Sequence, residues 1–100
     1  MYLILWEYHV KLEAREKFEQ IYSPTGAWAE LFQNGAGYLG TELLLDETDP
    51  QKYLTIDLWV SKEAYESFLE RWKQEYEMLD KQCAGLTKHE VPLGKGHLLK

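Results

Sequence analysis

One hundred residues, 45% hydrophobic and 28% charged, describe one small domain that buries only roughly 60–70% of its unfolded surface. A formal charge of −6 excludes a phosphate-binding nucleic-acid surface, because the only basic run, Lys95 to Lys100, is sparse. MYLILWEY carries no basic flank and meets Glu7 at once, and the single cysteine, Cys83, has no partner for an internal disulfide. These features lead us to expect a cytoplasmic protein without a membrane span.

In chain order, Tyr2 to Val10 alternates with period two. Tyr2, Ile4, Trp6, Tyr8 and Val10 fall on one side, and Leu3, Leu5, Glu7 and His9 on the other, which predicts a strand. Lys11 to Tyr22 carries charge on one side and Leu12, Phe18, Ile21 and Tyr22 on the other, which predicts a helix ended by Pro24 and Gly26. Ala27 to Gln33 resumes helical spacing through Trp28, Leu31 and Phe32, and Asn34-Gly35-Ala36-Gly37 stops it. Tyr38 to Asp46 alternates again, with Leu39, Thr41, Leu43 and Leu45 on one side. The polar Glu47 to Gln51 turn joins it as a hairpin to a strand over Tyr53 to Val60.

At Ser61 the period changes to 3.6. Ser61 suits an N-cap, Glu63 sits in the first turn, and Tyr65, Phe68, Leu69, Trp72, Tyr76, Leu79 and Cys83 form one apolar stripe. One long helix ending at Gly85 is expected, with Cys83 as a buried core thiol. Thr87 to Leu93 reads as a last short strand, with Pro92 at an edge or strand end and a loose tail over 94–100.

The order strand, helix, strand, strand, helix, strand predicts a ferredoxin-like α+β fold, an antiparallel sheet with helices on one face. Both sheet faces read as apolar: one aliphatic, the other aromatic with Asp57, Thr55 and Glu42 set into it. A bare aliphatic face would exceed the roughly 300–600 Å² patch of a typical monomer, so a second copy is expected to cover it. Face-to-face packing of two such sheets would give a homodimer with a self-complementary interface.

Gly37-Tyr38-Leu39-Gly40-Thr41-Glu42-Leu43-Leu44, the Asp49-Pro50 turn, Tyr53 to Trp59, and Ser61 to Phe68 together resemble the antibiotic biosynthesis monooxygenase family of dimeric α+β barrels. Trp28 to Phe32 and Leu86 to Glu90 resemble an uncharacterised branch of it. The resemblance implies a cofactor-independent monooxygenase of small, electron-rich aromatic substrates, or a non-enzymatic dimer that binds a ligand or serves as an accessory protein. It also implies that Trp59 lines a pocket between sheet and helices, that the substrate-holding place four residues earlier is Thr55, and that the following aromatic is Tyr65. Members that degrade haem carry a Trp and a His where this sequence has Phe68 and Met78, so haem chemistry is not expected. Pattern alone would put the aliphatic face under the helices. The resemblance instead puts Tyr53, Thr55, Asp57 and Trp59 there and turns Leu54, Ile56, Leu58 and Val60 toward the partner.

The candidate catalytic residues are therefore Asp57, as a general base whose pKa burial would raise, and Tyr65. Thr55, Trp59, Tyr8 and Phe68 are the substrate-binding candidates, the tyrosines orienting a phenol by stacking and hydrogen bonding. The plainer alternatives are core packing for the aromatics and a hydrogen-bonded structural carboxylate for Asp57. His9, His89 and His97 are scattered, with no metal-ligand spacing, and Gly35, Gly37 and Gly40 follow a helix instead of opening one as a phosphate loop does. The expected test of function is whether a pocket of roughly a few hundred Å³ beside Trp59, Tyr65 and Thr55 is open or filled by the protein's own aromatics.

Overall fold

The computed structural model describes residues 1–99; Lys100, the end of the expected loose tail, lies outside the described residues. Four strands, β1 (Tyr2–Val10), β2 (Tyr38–Leu45), β3 (Lys52–Trp59) and β4 (Thr87–His97), form one antiparallel sheet in the order β2-β3-β1-β4. Helices α1 (Arg15–Tyr22) and α2 (Ala27–Phe32) connect β1 to β2, and α3 (Lys62–Arg71) and α4 (Lys73–Cys83) connect β3 to β4. This is the ferredoxin-like α+β arrangement.

Register assigns the faces. Residues directly opposite each other in an antiparallel ladder share a face. Tyr2 pairs with Trp59, Ile4 with Asp57, Trp6 with Thr55 and Tyr8 with Tyr53, and this set lies under the helices. Tyr2, Ile4, Tyr8, Tyr53, Thr55 and Trp59 are all buried. The opposite face pairs Leu3 with Leu58, Leu5 with Ile56 and Leu44 with Leu54, and none of these six is buried. The aromatic face is thus the covered one, as the family resemblance implied and hydrophobicity alone did not.

Three expectations need correction. Glu42 pairs with Ile56 on the open face, so Thr41, which pairs with Asp57, is the β2 residue set among the covered aromatics. A register shift between Tyr38 and Gly40, with Gly40 at φ +143°, produces this slip. The long helix is divided at Trp72, which leaves helical geometry at φ −109°, ψ 25°. Neither proline nor glycine occurs between Lys62 and Cys83; on the two sides of the break α3 meets β3 and α4 meets α2. The last strand runs on to His97 because Tyr2, Leu3, Ile4 and Leu5 of β1 pair with His97, Gly96, Lys95 and Gly94. The predicted Ser61 cap forms, its hydroxyl accepting from the Ala64 amide at 3.1 Å, and Cys83 is a buried free thiol.

Helix α1 is fastened to the sheet through Tyr53, whose hydroxyl donates to the Glu19 carboxylate and accepts from Arg15 Nε at 3.2 Å. No helix among the described residues is long and apolar enough to cross a membrane.

Candidate functional site

Between the covered sheet face and the helices lies a cavity of about 140 Å³. Its sheet side is Trp6 and Tyr8 of β1, Thr41 of β2, Thr55 and Asp57 of β3, and Glu90 of β4. Tyr22, Trp28, Phe32, Tyr76 and Asp80 close it from the helices. Alternation brings the β residues together, since each is a period-two step on the same face. Tyr76 and Asp80 are one helical turn apart on α4, which aims both the same way.

Asp57 is the cavity group whose raised value falls closest to neutral pH. Burial pushes its carboxyl up to about 6, and the hydrogen bond from Thr41 opposes part of that shift. Thr41 Oγ1 donates to Asp57 Oδ1 at 2.7 Å, and the Tyr38 hydroxyl lies 2.6 Å from the same Thr41 oxygen. With its only proton committed to Asp57, Thr41 accepts from Tyr38, giving a chain from Tyr38 through Thr41 to Asp57. Burial also raises Tyr76 to about 12, and raises Tyr8 and Tyr22 well above the ordinary phenol value. Glu90 is raised first by burial and then by Asp80. The tyrosines therefore stay neutral hydrogen-bonding phenols, while Asp57 is the cavity group poised to exchange a proton near neutral pH.

Of the six residues singled out in the sequence, Tyr8, Thr55 and Asp57 meet on this cavity. Trp59, Tyr65 and Phe68 do not line it. They pack into an adjoining aromatic cluster, with Trp59 ring centroids 5.6 Å from Tyr65 and 5.3 Å from Phe68. Phe32 links the two regions: it lines the cavity and meets Trp59 at 5.9 Å and Phe68 at 5.4 Å. Trp59 is fully buried, yet its indole N–H has no hydrogen-bond acceptor among the described residues, contrary to the ordinary expectation for a buried indole. The space beside Trp59 is thus filled by protein, and the open room lies one layer away, against Thr55.

Sequence reasoning did not single out the other eight cavity residues, Trp6, Tyr22, Trp28, Phe32, Thr41, Tyr76, Asp80 and Glu90. Thr41 needed the shifted β2 register. Asp80 follows the stripe residue Tyr76 by four, and Glu90 is directly opposite Tyr8 on β4, so both had signals in spacing or pairing. Among the described residues, no group of three His, Cys, Asp or Glu side chains has a metal-holding arrangement.

Fold and cavity together define a small ferredoxin-like α+β protein with a carboxylate-bearing aromatic cavity beneath its helices. The model of the antibiotic biosynthesis monooxygenase family matches residues 1–76, and the chain belongs to that family. Among curated proteins the sequence has no significant match. Two solved structures illustrate the likeness. A mutant form of SnoaB, a cofactor-independent oxygenase from Streptomyces nogalater, aligns with a TM-score of 0.81 at 16% identity, over 99% of this chain and 93% of that one. PA3566 from Pseudomonas aeruginosa aligns with a TM-score of 0.69 at 15% identity, over 99% of this chain and 94% of that one. At these identities the likeness is one of fold.

Proposed function

We propose that this protein is a cofactor-independent monooxygenase that converts a small electron-rich phenol to a quinone. The observation that carries the reading is the Asp57 carboxylate, raised to about 6 and held by Thr41 on the wall of a cavity otherwise rich in aromatic rings. A base with a pKa near the working pH combines the correct protonation state with useful driving force. Asp57 takes the phenolic proton, while Tyr8 and Thr55 orient the ring. The resulting phenolate passes one electron to O₂, and the superoxide so formed couples at the para carbon. Loss of the proton on that carbon and of water then leaves the quinone. The balance is phenol plus O₂ giving quinone plus water, with no outside reductant. Trp59 and Phe68 serve this site from behind by holding Phe32, and Tyr65 in turn packs against Trp59.

The working unit in this reading is a homodimer. Leu3, Leu5, Leu44, Leu54, Ile56 and Leu58 share the uncovered sheet face, and burying such a face is worth several kcal/mol at roughly 25 cal/mol per Å². The experiment is oxygen uptake with a panel of single-ring and fused-ring phenols, scored against quinone absorbance. The expected result is one O₂ consumed per quinone formed by the wild type and a loss of at least a hundredfold in Asp57→Asn. If no member of the panel supports uptake, the cavity is a binding site without oxygenase chemistry. That outcome supports a ligand-binding or accessory dimer instead.

A further inference from the structure

We infer that the ligand of this cavity is a single-ring phenol carrying a protonated amine. The inference rests on the reading of this cavity as the substrate site and adds the substrate's size and charge. Size comes first. A buried apolar cavity of about 150 Å³ accommodates benzene, and the room here is about 140 Å³. One ring fits under the helices, and a short substituent reaches the open side.

Charge is the stronger argument. Three carboxylates, Asp57, Asp80 and Glu90, line this one small space, and among the described residues no Lys, Arg or His lines it. Their field is felt within the cavity: the phenol of Tyr76 is raised by burial and further by Asp80, Asp57 and Glu90. Asp57 Oδ1 is occupied by Thr41, whereas Oδ2 has no hydrogen-bond donor among the described residues. A phenolate formed by proton transfer to Asp57 still faces the carboxylates of Asp80 and Glu90, and no cationic side chain among the described residues lines the cavity to compensate it. The same field that opposes an anionic ligand favours a cationic one. An ammonium group on the substrate would supply the missing positive charge, bonding Asp80 or Glu90 while its ring keeps the Asp57 end. The aromatic walls suit the same ion, because Trp6, Trp28 and Tyr76 present π-systems that attract cations. Trp28 and Tyr76 already meet edge-to-face with centroids 5.0 Å apart, forming a fixed corner of that wall.

The test compares three probes of nearly equal size by calorimetry under anaerobic conditions at pH 7.5: meta-tyramine, meta-propylphenol and meta-hydroxyphenylacetate. The expected order is the ammonium compound tightest, by about tenfold over the neutral one, with the carboxylate weakest and the preference shrinking as salt is added. Asp80→Asn and Glu90→Gln should each reduce the ammonium preference at least threefold, and either variant suffices if the other does not fold. Equal affinity for the ammonium and neutral probes overturns the inference, as do tighter binding of the carboxylate and failure of all three to bind. Because binding is read without O₂, an ammonium preference unaccompanied by later oxygen uptake refutes only the oxygenase reading. Uptake without that preference refutes only the present one.

Discussion

Thr41 donates a 2.7 Å hydrogen bond to Asp57 across the β2–β3 ladder, and the two residues are directly opposite each other in register. This single bond stabilises the ionised carboxylate against the desolvation that raises it. Removing it should leave a more reluctant acid. Thr41→Val keeps the shape and deletes the donor, so the rising limb of the pH–rate profile should move upward from about 6 by about half to one pH unit. The check is kcat/KM from pH 5 to 9 on any phenol the wild type oxidises. A rate loss with an unmoved limb would mean that Asp57 is not the titrating base.

The same raised carboxyl makes a prediction about stability. Asp57 has an ordinary value of 3.8 and a folded value of about 6. Between these values the folded protein holds a proton that the unfolded chain has released. Stability therefore falls as pH rises through this window and stays lowered above it. Asp57→Asn cannot ionise and keeps an oxygen to accept from Thr41. Its melting temperature should match or fall below the wild type at pH 4 and exceed it at pH 7.5, by an amount worth on the order of 1–3 kcal/mol. Differential scanning calorimetry at both pH values reads the crossing, and parallel curves would remove Asp57 as the cause.

Leu58 tests the uncovered face. It is opposite Leu3 and only half-buried in the single chain, in the middle of the aliphatic side of β3. If a second copy covers that side, Leu58→Lys places two charges in a symmetric interface, where each meets the other protomer. Sedimentation equilibrium should then show a dimer for the wild type at micromolar concentration and monomer or unfolded chain for the variant. A wild-type monomer across that range would dispose of the homodimer.

The limits of the sequence reading have physical causes. Period-two and period-3.6 patterns are local, so the strands, the Ser61 cap and the apolar stripe from Tyr65 to Cys83 were legible in the sequence. Face assignment was not, because both faces of the β1 and β3 strands are apolar and hydrophobicity has no preference between them. Glu42 and Thr41 exchanged places because a bulge at Tyr38–Gly40 shifts the register without changing any composition. The cavity was misplaced by one layer for a similar reason. Trp59 is the most conspicuous residue on its strand, but how much of its surroundings Phe32, Tyr38, Tyr65 and Phe68 fill is decided by tertiary packing. The break at Trp72 has no local signal at all.

Gly35 gives the sharpest test of that packed layer. It lies in the loop after α2, and a Cβ built there would stand 2.9 Å from two atoms of the Trp59 ring and 3.0 Å from Phe68. Both neighbours are held. Trp59 is fully buried and Phe68 nearly so, and Phe32 and Tyr38 close on the same indole. The backbone at Gly35 needs no positive φ, so Gly35→Ala adds a steric conflict without backbone strain. Over-packing of this kind costs about 1–3 kcal/mol in a dense core. We expect Gly35→Ala to lower the melting temperature accordingly, and Trp59→Phe to restore part of the loss in the double variant by withdrawing the far ring. Because Trp59 and Phe68 both support Phe32, the single variant should also weaken binding of phenolic probes several-fold. Simple additivity of the two changes in stability would show that the contact between Gly35 and Trp59 is not what constrains this loop.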